Sequence, residues 1–142
     1  MLHLEFNSDS ENEGIARIVT SAYIMRFDPD MEEMEDVKTA VSEAVTNCIV
    51  HAYFDENGKI EMDISDKEQI VKIEITDHGI GIPDVKKAIE PMYTTKPEEE
   101  RTGMGFSFME AFMDEVHVYS KEGEGTKVIM TKKMGEKNHL NG

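Results

Sequence analysis

At 142 residues, with 30 Asp and Glu against 15 Lys and Arg, the chain carries a formal net charge of −15. That length fits one domain able to bury most of the surface its unfolded form exposes; the charge repels nucleic-acid phosphates and attracts basic partner proteins, although acidity also serves solubility alone. A single cysteine, Cys48, excludes an internal disulfide, and no apolar run approaches the ~20 residues that span a bilayer, so the expected setting is cytosolic.

Residues 2–6, Leu-His-Leu-Glu-Phe, alternate apolar and polar and predict a strand with one buried face. After a polar stretch, Ile15, Ile18, Val19, Ala22, Tyr23 and Met25 recur at helical spacing, with Ser8 or Ser10 as the cap. Asp28-Pro29-Asp30 is a turn. The next helix is expected over about 31–53, with Met34, Val37, Val41, Ala44, Val45, Cys48 and Ile49 on its apolar side. Asn57-Gly58 signals a tight turn. Ile60, Met62 and Ile64 alternate with acids, and Val71, Ile73 and Ile75 alternate with Lys72 and Glu74, which predicts a hairpin turning at Asp66. From 77 to 105 the pattern gives way to glycines, prolines and an acidic run. A loop of that length is a lid or binding loop, interrupted by a short helix at about 84–90. Helical spacing resumes over 106–114, and 116–120 and 127–131 predict a second hairpin across Gly123 and Gly125. Strands paired in hairpins with helices between them imply an α+β fold, a largely antiparallel sheet with helices on one face, in one domain over 1–134. The polar tail 135–142 is expected to fray.

Four short motifs carry chemistry. Glu43 and Asn47 are four residues apart and share a helix face offset from the apolar stripe. An amide oxygen and a carboxylate there suit Mg²⁺, which binds through one or two protein oxygens while keeping waters and substrate phosphates. Alternatively the carboxylate takes a proton from an attacking hydroxyl, and for this pair alone a solvated face is the commoner outcome. Strand parity puts Asp77 beside Val71, Ile73 and Ile75, where an inward carboxylate needs a partner. The exocyclic amine of a purine supplies one, with Gly79 and Gly81 leaving room for the ring; a turn in which Asp77 caps local amides is the plain alternative.

Gly103-Met104-Gly105 directly precedes the Phe106 helix, so free amides and the positive helix end can face phosphate oxygens. Lys96 and Arg101 are nearby cations, either phosphate contacts or solvated. Thr126, after Gly125, meets a phosphate or satisfies a turn amide. His51, on the Glu43–Asn47 face one further turn along, is either a ligand contact or, more simply, a helix-surface histidine. No His/Cys cluster has zinc spacing, and neither a P-loop nor a βαβ glycine fingerprint is present. Met104, Met109 and Met113 read as core filler.

Taken together, Ser42-Glu43-Ala44-Val45-Thr46-Asn47, Asp77-His78-Gly79-Ile80-Gly81-Ile82-Pro83, Thr94-Thr95-Lys96-Pro97 with Arg101-Thr102-Gly103-Met104-Gly105-Phe106, and Gly125-Thr126 resemble the N, G1, G2 and G3 boxes of the GHKL ATPase superfamily. Within it, residues 1–134 resemble the anti-sigma serine kinases of bacterial sporulation, including the Ser10-Glu11-Asn12-Glu13 helix opening and Phe112-Met113-Asp114-Glu115-Val116. The resemblance implies a two-layer α/β sandwich of the GHKL (Bergerat) ATP-binding type, with a mixed, mainly antiparallel sheet and a segment from about 84 to 105 closing over ATP. It implies Glu43 as the general base for a substrate serine, Asn47 as the Mg²⁺ ligand and Asp77 as acceptor for the adenine amine. Gly79, Gly81, Ile82, Gly103, Met104, Gly105, Phe106 and Thr126 would shape the pocket, and Thr94, Thr95, Lys96 and Arg101 would surround the phosphates.

The same resemblance implies a cytoplasmic homodimer that sequesters a sporulation sigma factor, sigma F, and phosphorylates a serine of its anti-anti-sigma antagonist. Arg17 matches the position at which both partners dock, and turnover would be slow with ADP retained. A stress-response anti-sigma kinase, a histidine-kinase catalytic domain and a non-catalytic, nucleotide-gated sigma-binding module are the alternatives. Against the histidine kinase, the helices before Glu43 leave no space for a phospho-acceptor hairpin. Against the inert module stands Glu43 itself, a carboxylate that pocket structure alone does not require.

Overall fold

The computed structural model describes residues 1–53, 57–82 and 105–135. Strands β1 (Leu2–Asn7), β2 (Lys59–Lys67), β3 (Ile70–Asp77), β4 (Glu115–Lys121) and β5 (Gly125–Lys133) form one sheet in the order β1-β2-β3-β5-β4. Every pairing among the described residues is antiparallel, so the expected mixed component does not appear there. Alternation along the strands buries one face only. Met62, Ile75 and Val128 fall in one cross-strand row and Ile64, Ile73 and Met130 in the next, all buried.

Against that face packs α2 (Met31–Asn47), whose Val37, Ala40, Val41, Ala44 and Val45 are fully or almost fully buried. Burying each larger apolar side chain of this layer is worth about 1.5–3 kcal/mol, before the entropy of ordering it. Its start is built by a capping box: Asp30 accepts from the Glu33 amide at 2.7 Å, and Glu33 Oε1 accepts from the Asp30 amide at 3.1 Å. Glu33 is itself buried, and its second oxygen accepts the Gly135 amide at 3.1 Å, tying the end of the described chain to the start of α2. A short helix, α3 (Phe106–Phe112), supplies Phe106 and Met109 to the same core, joined by Met113.

Three local expectations are corrected. In α1 (Glu11–Ile24) the buried residues are Ala16, Thr20, Tyr23 and Ile24, while Ile15, Ile18, Ala22 and Met25 face outward. The helix is apolar on two faces, and packing turns inward the one that carries Ala16, Thr20, Tyr23 and Ile24. Ser10 occupies the cap position without a side-chain bond; Asp9 Oδ1 accepts the Glu11 amide at 3.0 Å instead. The β2–β3 hairpin turns at Glu68 and Gln69, both in the left-handed region, rather than at Asp66. Two positive-φ residues make the turn that matches strand twist.

The helix expected to reach residue 53 does so with a change of pitch. After Asn47 it widens into a π turn, Cys48–Ala52, in which the Tyr53 amide donates to the Cys48 carbonyl at 3.2 Å. The short helix expected at 84–90, the lid that contains it, and residues 136–142 of the tail lie outside the described residues. Among those described, no helix is long and apolar enough to cross a membrane.

Candidate functional site

The end of β3, the start of β5, the end of α2 with its π turn, and the start of α3 meet at one pocket. Its lining includes Asn47, Cys48, His51, Asp77, Gly81, Ile82, Phe106 and Thr126. Parity places Asp77 there as expected, the last buried position of a strand whose Val71, Ile73 and Ile75 all face the core. Its Oδ1 accepts two backbone amides, from Gly79 at 3.0 Å and Thr126 at 3.2 Å. The Cys48 thiol faces two acceptors, the Ala44 carbonyl at 3.4 Å and the Asp77 carboxylate. Burial raises the Asp77 carboxyl above its ordinary value, and these donors pull it part of the way back. Burial and the neighbouring Asp77 together hold the Cys48 thiol protonated.

Glu43 is half-buried at the rim, one helical turn before Asn47. Desolvation raises its carboxyl, and Glu13 on α1 adds a like charge that raises it further. The carboxylate rests against Gly105, where φ is +71° and any Cβ would overlap it. A side chain at 105 would therefore meet both an unfavourable backbone conformation and the Glu43 carboxylate.

Thr126 is buried, and its hydroxyl lies 2.8 Å from Ser120 Oγ, directly opposite in the β4–β5 register. Ser120 also accepts the Ile82 amide at 2.7 Å and donates to the Gly125 carbonyl at 3.0 Å, so one hydroxyl ties three pocket walls together. Thr126 thus meets a hydroxyl as well as the Asp77 network, rather than only a turn amide.

His51 is buried and lines the pocket, on the face it shares with Asn47, rather than lying on the helix surface. Gly81 lines the pocket too, and with φ at +76° it lets the 78–82 loop press against the Lys121 carbonyl. Gly79 contributes its amide to Asp77. The structure thus gathers Glu43, Asn47, Asp77, Gly79, Gly81, Ile82, Gly105, Phe106 and Thr126. Arg17 stands apart, exposed on α1 and 3.8 Å from Glu13. Thr94, Thr95, Lys96, Arg101, Gly103 and Met104 lie outside the described residues.

Ser120 was missed at the sequence level, although its place opposite Thr126 across the second hairpin was available. Tyr53 was missed too: its hydroxyl accepts the His78 amide at 2.7 Å and donates to the Lys59 carbonyl at 2.6 Å, fixing the peptide that follows Asp77.

A sequence model of the histidine kinase-like ATPase domain matches residues 6–132. The chain is 53% identical over 134 residues to the anti-sigma F factor of Clostridium perfringens, covering 94% of this chain and 96% of that protein. It is 45% identical over 140 residues to the anti-sigma F factor of Geobacillus kaustophilus, covering 98% and 96% respectively. Among solved structures, the catalytic domain of the histidine kinase ThkA superposes with a TM-score of 0.62 over 96% of this chain and 99% of that one, at 22% identity, a likeness of fold.

Proposed function

The chain belongs to the anti-sigma F factor family, built on the histidine kinase-like ATPase domain, and on that premise we propose that it inhibits a sporulation sigma factor, sigma F, and uses ATP to phosphorylate a serine of the anti-anti-sigma antagonist. One observation carries the reading: the buried Asp77 carboxylate is fixed by two amides in the wall of a pocket that Asn47 also lines, with the Glu43 carboxylate one helical turn away. The donor set fits a Mg²⁺–nucleotide. It offers an amide oxygen for a hard cation, a buried acceptor for an amine, and a carboxylate free to take a proton.

Bound ATP with Mg²⁺ supplies the transferable phosphoryl group and the charge neutralisation that this chemistry requires. Asp77 accepts the adenine amine and orients the base, while Ile82 and Phe106 exclude water from the pocket. Asn47 holds Mg²⁺ through its side-chain oxygen. Glu43 takes the proton of the substrate serine; its raised pKa brings it closer to working pH, where a general base is most effective. Thr94, Thr95, Lys96 and Arg101 surround the phosphates in this reading, with Gly103 and Met104 completing the pocket.

The protein acts as a cytoplasmic homodimer, consistent with β1 standing at an edge of the sheet among the described residues. Arg17 docks both partners. It is exposed on α1, 3.8 Å from Glu13.

The test is incubation with labelled ATP, Mg²⁺ and an anti-anti-sigma protein, comparing wild type with Glu43→Gln. Label on a partner serine, lost in the variant while nucleotide binding persists, supports the kinase. Tight ATP binding and sigma-factor capture without label from the wild type would reduce the chain to a nucleotide-gated binding module.

A further inference from the structure

The solvent face of the sheet carries ionisable side chains that the nucleotide pocket does not use. Register places His3 opposite Asp63 and Glu5 opposite Glu61 across β1 and β2, and strand alternation turns all four to the same side. His3 Nε2 lies 3.0 Å from Glu5 Oε1 and 3.9 Å from Glu61 Oε1, and these ligand atoms all fall within 4.8 Å of one another. Tetrahedral ligands about 2.0–2.2 Å from an ion stand roughly 3.3–3.6 Å apart. Small rotations of exposed side chains bring the three to that spacing.

The imidazole supplies an independent reason for a cation. His3 Nδ1 is 2.6 Å from Asp63 Oδ1, while Nε2 faces Glu5. A neutral ring has one proton for these two carboxylates, so its second nitrogen would aim a lone pair at an anionic oxygen. Something positive belongs at that point, either a second proton or a metal ion. With the ring proton on Nδ1 held by Asp63, Nε2 is the ligating nitrogen, the carboxylate–imidazole arrangement that orients metal-bound histidines. Behind the other ligand, Glu61 Oε2 lies 2.8 Å from His78 Nε2. The only other described charge paired with these ligands is Lys59, 3.9 Å from the second oxygen of Glu5.

We propose that His3, Glu5 and Glu61 form a binding site for a divalent transition-metal ion, supported from behind by Asp63 and His78. One imidazole and two carboxylates suit ions of the zinc type, whereas Mg²⁺ and Ca²⁺ prefer oxygen alone. Proton and metal compete for Nε2, so metal uptake from a protonated ring releases a proton.

Calorimetric titration of the nucleotide-free protein with Zn²⁺, in two buffers of different ionisation enthalpy and with Mg²⁺ in parallel, tests the site. The expected result is one Zn²⁺ per chain, proton release that diminishes as pH rises, and weaker Mg²⁺ uptake. Affinity should fall at least about tenfold in His3→Ala, Glu61→Gln and the supporting variant Asp63→Asn. It should persist in His117→Ala, on the far edge strand, and in Cys48→Ala. The changed side chains at 3, 61 and 63 face solvent, and circular dichroism confirms that each variant is folded. Absence of Zn²⁺ uptake by wild type, or equal uptake by wild type, His3→Ala and Glu61→Gln, overturns the proposal.

Discussion

Asp77 and Thr126 stand opposite one another in the β3–β5 register, and the Thr126 amide donates to Asp77 Oδ1 at 3.2 Å. The bond crosses from the last residue of one strand to the second of another, so the carboxylate is oriented by the sheet before any ligand arrives. Asp77→Asn keeps an oxygen for both amides but places an amine where an acceptor is needed. It should weaken ATP binding by about 1–3 kcal/mol, roughly ten- to a hundredfold, and narrow the preference for ATP over GTP. Fluorescent-nucleotide titration measures both. Because burial raises the Asp77 carboxyl in the folded state, its stabilising contribution is present below its unfolded value and is lost as pH rises through the folded one. The Asn variant should therefore melt no lower than wild type at neutral pH; a large loss of melting temperature would mean that the charge itself supports the fold.

Glu43 makes a pH prediction. Its carboxyl is raised first by burial and then by Glu13, so the base form disappears as pH falls through a value above that of an ordinary glutamate. The acid limb of the phosphoryl-transfer profile should sit correspondingly high, and Glu13→Gln should move it toward lower pH. An unmoved limb in Glu13→Gln would show that Glu13 does not tune the base.

Gly105→Ala should damage transfer more than fold. The substitution forces a side chain into the left-handed region at a cost of about 1–2 kcal/mol and drives its methyl against the Glu43 carboxylate. The unfolding free energy from urea denaturation should fall by that amount while turnover falls more than tenfold. Wild-type turnover in this variant would remove Glu43 from the chemistry or show that its carboxylate can shift freely.

Glu33 carries two bonds with one carboxylate, to the Asp30 and Gly135 amides. Glu33→Ala breaks the capping box and leaves a buried amide unpaired, for a loss of about 2 kcal/mol in chemical denaturation. Glu33→Gln retains one acceptor and should lose less. Equal losses in the two variants would indicate that packing, not hydrogen bonding, is what Glu33 supplies.

The sheet was legible because Ile60 to Ile64 and Val71 to Ile75 alternate without interruption, and parity then carried Asp77 to the pocket wall. The Glu43–Asn47 spacing placed both residues correctly on α2. The face that α1 buries was not legible: Ile15 and Ile18 repeat as regularly as Ala16, Thr20 and Tyr23, and periodicity does not say which stripe meets the core. The turn at Glu68 and Gln69 carries neither glycine nor asparagine, so nothing in its composition marked it. Spacing put His51 on the Glu43–Asn47 face, but a helical period does not say whether that face is covered there, and His51 is buried in the pocket wall. Ser120 was hidden for another reason: its importance lies in cross-strand bonds rather than in any local motif.

The π turn at Cys48–Ala52 sets two demands on the same five residues in opposition. Regular α-helical hydrogen bonding would satisfy the backbone better, yet it would shift Ala52, whose carbonyl accepts the Ile80 amide at 3.2 Å. The segment is therefore a point of local frustration, kept irregular by the tertiary contacts it makes. Loss of a single residue there would restore the smoother helix and dissolve the pocket wall, so a change that improves secondary structure would register as a loss of ligand.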